Sequence, residues 1–203
     1  MYILGIETAT KTGGVSIASE NGILAEYTLN IEVTHSERLM STVDRVLQDT
    51  GFTLANIDGY GVSIGPGSFT GLRIGLSTIK GLAFTTGKPV AAVPTLKALA
   101  WNIPFSHYPV CPLLDARKQE VYAALFRHDG DSYVQEMPDA VLSLAEMAET
   151  MTGDVLFTGE GARLFAEDIK KIFGDRAHFT PLSASVPSAA SATSSVVSEI
   201  FQM

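Results

Sequence analysis

The sequence predicts an α/β protein built from two halves of one plan, and three observations predict it. Strand-like apolar runs alternate with helix-like apolar stripes along the chain. The order of these segments in the first half, β-β-β-α-β-α-β-α, begins again after a break bracketed by Pro104 and Pro109. Of the 203 residues 46% are hydrophobic and 18% charged, enough for a packed core and too little charge for a disordered chain.

In the first half, Tyr2–Thr8 reads as a strand, Gly13-Gly14 turns the chain, and Val15–Ser19 follows. Asn21-Gly22 is a hairpin signal leading into Ile23–Leu29. Thr34-His35-Ser36-Glu37 has the form of a capping box, in which the hydroxyl and the carboxylate satisfy the first free amides of a helix. Leu39, Met40, Val43, Val46 and Leu47 make that helix's apolar stripe, and Gly51 ends it. Ile57–Ile64 is a strand, Gly65–Gly71 a glycine-rich turn and Leu72–Thr85 a helix. Pro89–Val93 is a short strand, and Thr95 caps a helix to about Asn102.

The second half repeats this. Val110–Asp115, Glu120–Arg127 and Ser132–Glu136 read as strands, and Ser143-Leu144-Ala145-Glu146 is a second capping box. Asp154–Thr158 is a strand, Ala162–Phe173 a helix followed by Gly174, and Ala177–Thr180 a weak strand. Pro187 starts a last helix through Val196, Val197, Ile200 and Phe201, unless the serines and alanines of Ser183–Ser195 form a loose tail. The two domains are therefore expected at residues 1–103 and 109–203. This doubled pattern is the layout of the duplicated ribonuclease-H-like fold of actin, Hsp70 and the sugar kinases (ASKHA). In such proteins a turn in each half presents a carboxylate toward a central cleft. Glu7 and Asp115 hold the two equivalent places here, and a plainer reading makes each a strand-end acid capping nearby amides.

Charge and composition narrow the function. No apolar run approaches membrane-spanning length, and no cationic leader follows Met1, so a cytoplasmic chain is expected. The lone cysteine, Cys111, excludes a disulfide framework and a cysteine-built zinc site, and it reads as a small core residue. A formal charge of −8 is ill suited to gripping nucleic acid unaided. Between Asp58 and Asp115 there is no acid, while Arg73, Lys80, Lys88 and Lys97 occur there, so that stretch faces an anion or a partner, or is a buried segment with solvated lysines.

Three motifs bear on chemistry. Gly61-Val62-Ser63-Ile64-Gly65 matches the G-x-S-x-G of a hydrolase elbow, but that motif needs a helix starting just after the serine. Pro66 pushes Gly65 away from the helical region, so Ser63 reads as a strand residue. Gly65-Pro66-Gly67-Ser68-Phe69-Thr70-Gly71-Leu72-Arg73-Ile74-Gly75 lies between strand and helix, where amides can hold an anion. Its spacing misses the dinucleotide fingerprint, and it lacks a phosphate-gripping lysine. Gly65, Gly67, Ser68, Thr70, Gly71 and Arg73, with Glu7 and Asp115, are the candidate anion or cleft residues. The following helix has an apolar face of Leu72, Leu76, Ile79 and Ala83 and a small face of Gly71, Gly75, Thr78 and Leu82, the second suited to close helix approach. His35, His107, His128 and His178 show no i, i+4 pair, so no metal site and no cofactor is predicted.

Together these residues resemble the bacterial TsaB family, also called YeaZ. The resemblance rests on Ile3–Thr10, Thr34–Arg38, Gly65–Gly75, Val93-Pro94-Thr95-Leu96, and Asp115-Ala116-Arg117 with Glu120-Val121-Tyr122, and it spans most of the chain. The carboxy-terminal portion departs, lacking the Tyr-Leu-Arg segment with which family members often continue. The resemblance implies the duplicated ribonuclease-H-like fold and kinship to the catalytic subunit TsaD, whose His-x-x-x-His metal pair has no counterpart in Thr34–Arg38. It therefore implies a non-catalytic subunit that binds TsaD as a heterodimer and works with the ATPase TsaE in forming threonylcarbamoyladenosine beside the tRNA anticodon. It meets tRNA only through the complex. The partner surface is expected on the helices Thr34–Leu47 and Leu72–Phe84, through Arg38, Ser41, Thr42, Arg45, Gly71, Gly75 and Thr78. Homodimerisation of the isolated chain, and nucleotide binding at the joint site, stay open. The competing readings are a sugar-kinase-type kinase or ATPase and, behind it, a peptidase.

Overall fold

The computed structural model describes residues 1–30, 35–103, 105–130, 133–191 and 193. The chain divides into two compact units. The first unit contains Met1–Ala98 and the described residues from Pro187 onward. Its strands are β1 (Tyr2–Glu7), β2 (Gly13–Ser19), β3 (Gly22–Leu29), β4 (Gly59–Gly65) and β5 (Val90–Pro94). They form one sheet in the order β3-β2-β1-β4-β5. β1 is antiparallel to β2 and parallel to β4. Helices α1 (His35–Thr50) and α2 (Phe69–Thr86) cover one face, and α3 (Thr95–Trp101) follows β5. Leu4, Ile6, Val15 and Ile17 from the sheet are buried with Leu39, Val43 and Val46 of α1 and Ile79 and Leu82 of α2. These are alternate positions on the strands and one stripe on each helix, as the two periodicities require.

The second unit, Leu99–Val186, repeats the arrangement. Its strands are β6 (Val110–Arg117), β7 (Glu120–His128), β8 (Tyr133–Ser143), β9 (Val155–Thr158) and β10 (Ala177–Phe179), ordered β8-β7-β6-β9-β10. β6 is antiparallel to β7 and parallel to β9, matching β1 in the first unit. Helices α4 (Leu144–Thr150), α5 (Glu160–Leu164) and α6 (Ala166–Phe173) complete it. The predicted capping box forms at α4: Glu146 N–H donates to Ser143 Oγ at 3.3 Å, and Ser143 N–H donates to Glu146 Oε2 at 2.8 Å. Cys111 is buried in this core, and desolvation pushes its thiol pKa up.

Several expectations change. α2 starts at Phe69, not Leu72, because Ser68 caps it. Thr95 is the first residue of α3 rather than its cap, and its buried hydroxyl has no hydrogen-bond partner among the described residues. β8 runs on through Pro138 to Ser143, where an edge strand tolerates a residue without an N–H. The single helix expected over 162–173 is two, divided at Phe165. Gly161 lies tight on Leu113, and α6 then buries Ile169 and Phe173.

The domain division also differs from 1–103 and 109–203. Trp101 packs edge-on to Tyr133 at 6.2 Å, and Asn102 Nδ2 donates to Ala184 O and Val186 O, which ties the residues after Ala98 to the second unit. The chain from Pro187 returns to the first unit. There Ala190 N–H donates to Glu26 Oε1 at 2.9 Å, and Thr193 Oγ1 reaches Ser16 Oγ over Gly5. Thr34 of the first capping box, Ser132, and the Val196, Val197, Ile200 and Phe201 positions of the last helix lie outside the described residues.

Candidate functional site

Glu7 ends the central strand of the first sheet with its side chain wholly buried. Parallel pairing of Gly5 with Gly61 and Ile6 with Val62 brings Ser63 of β4 beside it. Ser63 Oγ–H donates to Glu7 Oε2, and Ala9 N–H donates to Oε1 at 2.6 Å. Burial pushes the Glu7 pKa up from its ordinary 4.5 to about 7, against the downward pull of hydrogen bonds from Ser63, Ala9 and Thr8. The hydroxyl of the elbow-like motif is thus buried within a strand and spent on a carboxylate, as the strand reading of Ser63 expected. Sequence reasoning missed the pair itself, whose only signal was two polar residues near the ends of two apolar strands.

The same carboxylate is tied to the glycine-rich turn. Ala9, held by Glu7, accepts from Ser68 N–H at 2.6 Å. Ser68 Oγ in turn accepts from Gly71 N–H at 3.3 Å. Gly67, at φ +152°, passes so close that a Cβ there would lie 2.3 Å from Ala9 O. Gly65 also has positive φ, +114°. The turn closes on Ala9, and the Ser68 and Gly71 amides are already bonded. The Ser68 and Gly71 amides are thus not open to an anion. Thr70 and Arg73 are exposed, and the Arg73 guanidinium sits 5.0 Å from the Phe69 ring centroid.

Asp115 lies on β6, the counterpart of β1 in the other unit. It accepts from Arg117 N–H at 2.8 Å and approaches the Arg117 guanidinium at 3.4 Å. Arg117, Lys118 and Gln119 all have positive φ, so this carboxylate caps a left-handed turn, the plainer of its two expected roles.

The family model described as TsaD: tRNA N6-adenosine threonylcarbamoyltransferase matches residues 22–200. The tRNA threonylcarbamoyladenosine biosynthesis protein TsaB of Bacillus subtilis is 33% identical over 179 residues, covering 87% of this chain and 78% of that protein. The chain belongs to the TsaB family. YeaZ from Pseudomonas aeruginosa superposes with a TM-score of 0.80 at 26% identity, over 99% of this chain and 92% of that one. A ROK hexokinase from Thermus thermophilus superposes at 0.53 with 11% identity, a likeness of fold alone. The duplicated ribonuclease-H-like, ASKHA-type architecture follows from the doubled sheets and these neighbours together.

In this TsaB-family chain the residues expected to meet a partner divide into two sets. Arg38 turns its guanidinium inward to Lys11 O at 3.1 Å, and Thr42 is buried with its hydroxyl on Arg38 O. Gly71 and Gly75 line the buried face of α2, and a Cβ on Gly75 would lie 2.3 Å from Thr8 Oγ1 and 3.6 Å from Ile6 Cγ2. The small face of α2 therefore packs on its own sheet, which corrects the interface assignment of Arg38, Thr42, Gly71 and Gly75. Ser41 and Arg45 do face outward, with Arg45 paired to Asp49 at 2.9 Å, and Thr78 is half-buried. Sequence reasoning missed the outer face of α2, where Phe69 is 73% and Phe84 93% exposed, with Arg73 and Lys80 between them.

Proposed function

We propose that the chain is a non-catalytic subunit of the cytoplasmic assembly that forms threonylcarbamoyladenosine beside the anticodon of tRNA, where it binds TsaD and holds it in its working state. TsaE joins the assembly, and tRNA is met only through the complex. Kinship with proteins named for threonylcarbamoyladenosine biosynthesis supports the process. The observation that carries the partner role is the outer face of α2, where two large rings stand in solvent on one helix beside two cations. Aromatic and arginine side chains gathered on one surface have the composition of interface anchors. Ser41 and Arg45 of α1 and Thr78 of α2 are proposed to border that contact.

The test is reconstitution. The purified chain, supplied with tRNA and the threonylcarbamoyl donor, should leave the tRNA unmodified and should not turn over ATP. Adding the cognate TsaD and TsaE should restore modification. Robust modification by the chain alone would overturn the non-catalytic reading, and full activity of TsaD with TsaE in its absence would overturn the accessory one.

A further inference from the structure

A short chain of contacts joins the buried carboxyl of Glu7 to the exposed start of α2. Glu7 accepts from the amides of Thr8 and Ala9, the two residues that follow it out of β1. Ala9 is 1% exposed, and the glycine-rich turn lies against it. There Ser68 N–H donates to Ala9 O at 2.6 Å, and Gly67 passes too close to Ala9 for any side chain. Thr8 is fully buried, and a Cβ on Gly75 would come within 2.3 Å of its Oγ1. The start of α2, from its Ser68 cap to Gly75, therefore rests on two residues whose amides Glu7 holds. On the solvent side of the same stretch, the Arg73 guanidinium lies over the exposed Phe69 ring.

Nothing charged faces Glu7 among the described residues. Ser63 meets it from β4, Gly14 pairs with it from β2, and α2 turns Gly71 and Gly75 toward the sheet. Burial, opposed by hydrogen bonds from Ser63, Ala9 and Thr8, displaces its pKa to about 7, with no cation contributing. An ionised carboxylate at this place has nothing to compensate its lost hydration, and admitting water relieves it. The cover nearest to solvent is the turn, with Gly65, Pro66 and Gly67 half-buried and Ser68 exposed. Lifting the turn breaks the bond to Ala9 and leaves the sheet intact, so it costs less than unfolding the whole unit.

We propose that Glu7 is a positioning residue for the partner surface: through Ala9 and Ser68 it fixes the start of α2, and with it Phe69 and Arg73. The neutral carboxyl keeps the turn closed, and ionisation favours its lifting, which frees both side chains. That these two side chains meet TsaD rests on the function proposed above. The hold of Glu7 on the turn does not.

Amide hydrogen exchange of the full chain from pH 5 to pH 8, corrected for the intrinsic exchange rate, tests the hold. Water at Glu7 lets its pKa fall from about 7 toward 4.5, so opening becomes easier as pH rises. Protection of the Ser68 amide should fall at least about tenfold across this range in the wild type. It should stay level in Glu7→Gln, which keeps an acceptor but cannot ionise. Ser68 should also exchange faster than Val62 of β4 at each pH, because the turn opens without the sheet. A level profile in the wild type overturns the proposal. So does an equal fall in Glu7→Gln, or a Ser68 amide as well protected as that of Val62. Calorimetric titration with TsaD at pH 6 then tests the link to the partner. Glu7→Ala should bind at least about fivefold more weakly, as expected when the Thr8 and Ala9 amides lose their acceptor, and Glu7→Gln should restore the affinity. Equal affinity of a folded Glu7→Ala variant overturns the positioning role. Absence of TsaD binding by the wild type would overturn the α2 contact of the proposed function instead. The exchange profiles need neither TsaD nor Glu7→Ala, so they decide the hold on the turn in every case.

Discussion

Glu7 makes the stability of this protein fall as pH rises through the neutral range. Its carboxyl is wholly buried, and its pKa rises from 4.5 to about 7 on folding. Between those values the folded state keeps a proton that the unfolded state has released, so stability decreases with pH. The displacement corresponds to roughly 3 kcal/mol at 1.36 kcal/mol per pH unit. The contribution is greatest below about pH 4.5, declines through pH 7 and is flat above it. Glu7→Gln keeps the shape, an acceptor for Ala9 and a partner for Ser63, but cannot ionise. Exposed carboxylates such as Asp49, which Tyr27 and Arg45 hold below its ordinary pKa, act in the opposite sense and are common to both proteins. Urea unfolding of wild type and Glu7→Gln from pH 5 to pH 8 isolates the effect as a difference. The variant should gain on the wild type steadily, by about 2–3 kcal/mol across the range. Parallel profiles would show that Glu7 titrates alike in both states and would refute the reasoning.

Gly75→Leu should lower the melting temperature through overpacking of about 1–3 kcal/mol, since even a Cβ there would meet Thr8 at 2.3 Å. Gly81→Ala should raise stability by about 1 kcal/mol in thermal or urea unfolding, because that exposed helical position has no atom within 4 Å of an added Cβ. Phe84→Ala should leave the melting temperature unchanged while weakening TsaD association at least about tenfold by calorimetry, and unaltered affinity would remove α2 from the interface. Ser63→Ala should cost about 1–3 kcal/mol by leaving Glu7 one donor short, yet leave modification by the reconstituted complex within about twofold.

How far the sequence reached can be judged residue by residue. The strands, most helix boundaries and the duplication were legible because each depends on neighbours in the chain: apolar spacing, the Ser143–Glu146 box and the Asn21-Gly22 signal. The strand placement of Ser63 was legible for the same reason, since Pro66 acts on adjacent backbone. The boundaries missed were those where tertiary position overrides a local stop. Pro138 reads as a break but sits in an edge strand, and the stripe over 162–173 reads as one helix where packing on Leu113 makes two.

What the sequence by itself determined was therefore the plan, two βββα-led halves, and the family to which they belong. Tertiary structure alone decided which side of α2 meets water. Gly71 and Gly75 offered a face that would suit a partner helix or the chain's own sheet, and contact with Thr8 and Ile6 resolved it inward, leaving Phe69 and Phe84 outside. It also decided that Glu7 and Ser63 share one buried hydrogen bond across 56 residues of chain, and that the segment from Pro187 returns to the first sheet. Local rules fix the direction of a hydrogen bond or the stripe of a helix. Which surfaces lose their water depends on what lies opposite, and that is set only when distant segments close on one another.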